Sequence, residues 1–145
     1  MNQNYLKLGG YFILAFTIFF ICFILIPRNS LIVKNQNKGQ AIQISEVSLT
    51  QGGFIIVSLL NPETGFPDDH NILNNPPYLP AGKYKNINIV LNDHALDTAN
   101  RVSVSLYIDA DKNGFFTTDE TGNSNLDIRA TGLNRKIIRD VINVY

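Results

Sequence analysis

Leu8–Ile26 is a run of nineteen residues, LGGYFILAFTIFFICFILI, without a single charge. As a helix it would span about 28 Å, close to the roughly 30 Å hydrocarbon core of a bilayer. Lys7 and Arg28 bracket it, Pro27 marks a helix end, and Tyr5 and Tyr11 suit the interfacial belt. A lone span in lipid must satisfy its own backbone, so a helix is required. The run therefore reads as an uncleaved transmembrane anchor that places the chain in the bilayer through residues 8–26. A cleaved signal peptide would want a shorter apolar core and small residues at the cut, but the run ends Leu25-Ile26-Pro27-Arg28. Ile21 before Cys22 does not suit a lipoprotein signal. A pilin-like leader, with Gly10 between Lys7 and the apolar stretch, is the third alternative.

The anchor divides the chain into a short flank (1–7), the span (8–26), a polar tether (27–40) and one domain (41–145). Charge divides the same way. Lys7, Arg28, Lys34 and Lys38 stand in the first forty residues with no acid, whereas all 12 acidic residues lie beyond. An acidic domain lacks the lysine and arginine surface that binds phosphate backbones, so nucleic acid is not an expected partner. The basic residues after the span, taken alone, would put the domain in the cytoplasm. The acidic domain and its calcium-type loop favour the outside. The expectation is a single-pass cell-membrane protein with an extracytoplasmic C-terminal domain and a protein partner at the cell surface. The single cysteine, Cys22, lies in the apolar run, so the domain holds no disulfide and no thiol nucleophile.

Within 41–145 the dominant period is two. Ile42 and Ile44 share a phase that slips to Val47 and Leu49, predicting a bulge near Ser45-Glu46. After Gln51-Gly52-Gly53 comes the apolar run Phe54–Leu60. Ile87, Ile89 and Leu91 alternate with outward Asn86, Asn88 and Asn92, and Val102, Val104, Leu106 and Ile108 alternate with Ser103, Ser105 and Tyr107. Such alternation predicts half-buried strands. Arg135–Tyr145 fits helix or strand spacing, and its β-branched residues favour a strand. Asn61–Gly82 carries five of the six prolines and reads as a long surface connection crossing between sheets. The fold class expected is all-β: an immunoglobulin-like antiparallel sandwich of about seven strands, plus the one N-terminal transmembrane helix.

One segment carries chemistry. Asp109–Glu120 reads DADKNGFFTTDE, with Asp109, Asp111 and Asn113 at positions one, three and five, Gly114 sixth, Thr117 ninth and Glu120 twelfth. This is the twelve-residue calcium loop pattern. Alternating oxygens fold back on one hard cation, Phe115 supplies its backbone carbonyl, and Glu120 closes the shell with two oxygens. The candidate ligands for Ca2+ are thus Asp109, Asp111, Asn113, Phe115, Thr117 and Glu120. The segment before the loop is a strand and nothing helical follows, so an EF-hand is not expected. The competing reading is a polar turn in which Asp and Asn cap backbone groups. His70 and His94 sit in acid-rich polar loops, and no P-loop, nucleophile elbow, dinucleotide fingerprint or H-E-x-x-H is present. The chain is therefore expected not to be an enzyme. It is expected to be a structural, adhesion or binding module stabilised by calcium. The alternative is a small-ligand or ion-binding accessory subunit of a membrane complex.

The chain also resembles a known family from Glu46 onward. The matching stretches are Gly53–Val57, Tyr78–Gly82 leading into Lys85–Leu91, Leu106 and Asp109 with the Asp111-Asn113-Gly114-Phe115 turn, and Asp127 before a final strand. In these it is similar to domain of unknown function 7282, found in archaeal and bacterial surface proteins. The resemblance implies a β-sandwich at the cell surface and no known activity. The family often has histidine where this chain has Tyr107, so that residue's role does not carry over.

Overall fold

The computed structural model describes residues 13–19, 27–92, 95–96, 99–117, 127–132 and 136–145. Residues 13–19 are helical and exposed all round, with Ile13, Leu14, Phe16, Ile18 and Phe19 open to the surroundings. Thr17 turns its hydroxyl onto the carbonyl of Ile13 at 2.8 Å, so its polar group is satisfied within the helix. Among the described residues no helix is long and apolar enough to cross a membrane. The remainder of the expected span lies outside the described residues.

Nine strands follow among the described residues: β1 (Ser30–Val33), β2 (Ala41–Leu49), β3 (Gly53–Leu60), β4 (Pro67–Ile72), β5 (Tyr78–Leu79), β6 (Gly82–Val90), β7 (Arg101–Asp109), β8 (Asp127–Arg129) and β9 (Arg139–Asn143). They form two sheets. One runs β1-β2-β6. The other runs β4-β3-β7-β8, with β5 also on β3 and β9 also on β7. Every strand pairing is antiparallel. Ile42, Ile44, Val47 and Leu49 of the first sheet and Ile55, Val57, Val102, Val104, Leu106 and Ile142 of the second belong to one continuous buried cluster. The inward face of each sheet finds its cover in the other, which is how a two-layer β fold removes apolar surface from water.

The expected phase slip in β2 is present. Ile32 lies opposite Glu46 but Val33 opposite Ile44, so Ser45 is the extra residue. Strand β6 keeps its register with β2 past this level, with Asn86 at φ 53° between Lys85 and Ile87. Asparagine tolerates that left-handed conformation better than a branched residue would. Gly53 has a different purpose. A Cβ there would overlap the carbonyl oxygen of Tyr107, so only glycine allows β3 to lie this close to β7.

Three expectations need correction. The tether does not end at residue 40. Ser30–Val33 pairs with β2, the Val33 amide donates to Asp140 at 3.1 Å, and the Gln36 amide donates to the Asn143 carbonyl at 3.2 Å. The polar residues that follow concealed a strand that ties the two sheets through its backbone and through Val33, which is buried in the core between them. The Pro/Asn-rich connection also holds two strands, β4 and β5, both on the outer edge of β3, where proline costs no ladder bond. Finally, β7 is not half-buried. Ser103 and Ser105 are 0 % exposed and Tyr107 is 1 %.

Cover on that outer face comes from both ends. Phe116 and Tyr78 pack beside Phe54 and Tyr107. Arg139, opposite Ser105, reaches across to place its guanidinium 4.5 Å from the centre of the Phe66 ring and donates to the Gly65 carbonyl at 3.1 Å. Replacing Arg139 with alanine removes a cation–π contact and a hydrogen bond, an expected loss of about 1–2 kcal/mol in denaturant unfolding. Unchanged stability would show that Arg139 does not hold this cover.

Candidate metal centre

Strand β7 delivers Asp109 at its last position, and β8 begins with Asp127. The antiparallel register sets these two directly opposite one another. The chain between them leaves β7 through the calcium-type loop. Gly114 takes φ 75°, as the sixth position requires, and Lys112 takes φ 60° with its side chain exposed. The turn is held by its own carboxylates. Asp109 accepts the amides of Asn113 (3.2 Å) and Gly114 (3.1 Å), and Asp111 accepts the amide of Asn113 at 3.1 Å. The Asn113 side chain donates to Asp111 at 2.6 Å and accepts from the Phe115 amide at 2.6 Å. Phe116 then anchors the loop on Phe54 and Tyr107, with ring centres 5.6 and 5.2 Å away.

As a result one carboxylate oxygen from each of Asp109, Asp111 and Asp127 lies within 4.8 Å of the others. Calcium binds oxygens at about 2.3–2.6 Å, so two ligands of one ion can be no more than about 5 Å apart. The three carboxylates meet that limit. Asp109 and Asp127 are buried and Asp111 is exposed, which gives the cluster one open side.

Of the six residues expected from the sequence, Asp109 and Asp111 enter the cluster. Asn113 lies on the loop bonded to Asp111. Thr117 donates its amide to Asp127 at 2.8 Å and sets its hydroxyl 3.4 Å from the same oxygen. Phe115 turns its ring outward, 73 % exposed, which leaves its role to the backbone. Glu120 lies outside the described residues. Asp127 is the member that spacing did not find. It stands eighteen positions after Asp109, and only the β7–β8 register brings it in.

Burial pushes the Asp127 carboxyl above the ordinary carboxylate range, and the charges of Asp111 and Asp109 push the same way against the bonds donated by Thr117. A carboxyl with a raised native pKa contributes stability that is fully present below its unfolded value. That contribution is lost as pH rises through the raised value. Chelated protein is therefore expected to lose stability through this group as pH rises above the ordinary carboxylate value, and Asp127→Asn to flatten that slope. Thermal melts across the range check it, and an unaltered slope in Asp127→Asn would assign the dependence elsewhere.

His70 is exposed on β4, where its amide donates to Asp68 at 3.1 Å. Asp68 is held below its ordinary value, first by the Asn71 side-chain hydrogen bond, within the same strand. His94 lies outside the described residues.

No curated protein and no solved structure matches the chain. A family match does exist, and it begins at the residue before β1 and runs to the start of β9. Over residues 29–139, well beyond half of its length, the chain matches the family described as "Domain of unknown function (DUF7282)", and it belongs to that family.

Proposed function

We propose that this protein is a membrane-tethered, extracytoplasmic β-sandwich module whose β7–β8 corner binds calcium, and that its work is structural or adhesive rather than catalytic. The observation that carries the calcium reading is the convergence of Asp109, Asp111 and Asp127 at the mouth of a twelve-residue calcium loop. Three carboxylates held this closely repel one another, and a divalent cation converts that repulsion into attraction. Phe115 through its carbonyl, Thr117 and Glu120 would complete the shell. The cation would join β7, β8 and the loop into one rigid corner.

An immunoglobulin-like layout is supported by the strand order, with β1-β2-β6 in one layer and β4-β3-β7-β9 in the other. Anchoring is supported by the nineteen-residue apolar run and by its helical centre, which exposes apolar side chains on every side and bonds its one hydroxyl internally. The accessory-subunit reading needs a pocket between the Asn61–Gly82 segment and the calcium loop. These segments meet over Phe54 through Tyr78 and Phe116, ring against ring, which supports the module reading instead.

Placement is tested by labelling. With Cys22→Ser removing the single native thiol, Lys83→Cys puts one on an exposed position of β6. A membrane-impermeant maleimide is expected to label it on sealed cells. Labelling only after permeabilisation would overturn the extracytoplasmic placement.

A further inference from the structure

We propose that the sandwich docks end-on against the bilayer from which its own chain emerges, with the Phe115 ring seated in the lipid interface. This rests on the anchoring reading above and adds which face of the domain meets lipid.

Topology selects the end. Three residues past the apolar run stands Asn29, whose side-chain oxygen accepts the Thr50 amide at 2.7 Å and the Thr50 hydroxyl at 3.0 Å. Thr50 begins the β2–β3 turn. Gly52 in that turn accepts the Asp109 amide at 3.0 Å, and Leu49 lies opposite Gly82 at the start of β6. The arriving chain, the β2–β3 turn, the β5–β6 turn and the calcium loop therefore share one end of the sandwich. The C-terminal Tyr145 lies at the other, where Val144 donates to Asn100 beside the start of β7.

Reach does the rest. Three residue steps separate Ile26 from Asn29, and an extended chain covers at most about 11 Å in that length. The polar interface of a bilayer occupies about 5–8 Å of it on each side. A span ending at Ile26 thus holds this end of the domain at headgroup level. The tether expected to run to residue 40 would have freed the domain to stand away, but β1 consumes it.

The surface presented there suits an interface. Phe115 is 73 % exposed and Tyr78 45 %, and Pro80 and Ala81 are exposed beside them. The Phe115 ring is displayed rather than loose, because its amide is fixed by Asn113 and the next residue is packed into the Phe54–Tyr107 cluster. Tyrosine is enriched at membrane interfaces, and phenylalanine is among the apolar side chains that bury at the headgroup boundary. Lys112, exposed on the same loop, supplies a cation for phosphate. The exposed acid Asp111 opposes docking until a cation covers it.

The chain has no tryptophan, so each introduced tryptophan reports alone. The full chain carrying Phe115→Trp is reconstituted in phosphatidylcholine vesicles in calcium buffer, with brominated acyl chains as quencher. Ala81→Trp is the second reporter at the same end, and Tyr145→Trp is the distal control. Docking predicts blue-shifted emission at 115 and 81 with quenching several times that at 145. Vesicle flotation is run in parallel. Protein that floats with equal, weak quenching at all three positions overturns docking and leaves the anchor standing. Protein that fails to float overturns the anchor, and docking with it.

Discussion

Calcium at about 10 mM is expected to raise the thermal midpoint of the β domain by about 10 °C, and Asp127→Asn is expected to abolish the rise. The size follows from linkage. A site of the weak extracellular kind, with Kd near 10⁻⁴ M, is filled about a hundredfold over at that concentration, which is worth about 2.7 kcal/mol to the folded state. For a domain of this length each kcal/mol moves the midpoint by about 4 °C. Asp127→Asn tests the residue supplied by the fold rather than by the loop pattern. Its amide oxygen can still accept from Thr117, so the substitution removes charge while keeping the bond that positions the loop. In chelator the variant should melt no lower than the parent, because a buried carboxylate beside Asp109 and Asp111 has been relieved. A parent midpoint indifferent to calcium would remove the metal reading. A full rise in Asp127→Asn would keep a metal and move it off β8.

Asn74→Ala is expected to cost about 4 kcal/mol, and Asn74→Asp at least as much. Strand β3 has β5 on its outer edge at Gly53 and Phe54, and β4 from Ser58 onward. Between these partners its edge would be bare. Asn74 closes the gap with its side chain. Its Oδ1 accepts the Val57 amide at 2.8 Å, and its Nδ2 donates to the Ile55 carbonyl at 3.0 Å. One buried amide thus copies the donor and acceptor of a missing strand residue. The backbone beside it clasps both sheets, as Leu73 donates to Val57 at 2.7 Å and accepts from Asn92 at 2.7 Å. Alanine leaves one donor and one acceptor buried without partners, at about 1–3 kcal/mol each. Aspartate aims an oxygen at the Ile55 carbonyl and adds a buried charge. Denaturant midpoints measure the cost. Asn71→Ala is the control, because Asn71 is exposed and its side chain bonds to Asp68 on the same strand. A loss below about 1 kcal/mol in Asn74→Ala would mean that water replaces the amide.

Much of the sandwich could be read from period and composition. Strands β2, β3, β6, β7 and β9 lie where alternating or branched apolar runs stand, and the slip at Ser45 was visible as a change of phase between Ile44 and Val47. Gly114 occupies the left-handed turn that its place in the loop demanded. These features are local: each is written in the side chains of the segment that adopts it.

What escaped is held by distant partners. Ser30–Val33, a short apolar run before a polar stretch, is a strand because β2 and Asp140 take up its backbone and the core takes up Val33. Ser103 and Ser105 look like solvent-facing residues, yet both are fully buried, with Arg139 opposite Ser105 in the β7–β9 register. Asn74 resembles any loop asparagine until the bare edge of β3 is beside it. The candidate metal centre divides along the same line. Its first two carboxylates were determined by spacing within the loop. Asp127 joined them only through the register of β7 on β8, because a cation samples oxygens in space and chain separation does not enter its coordination.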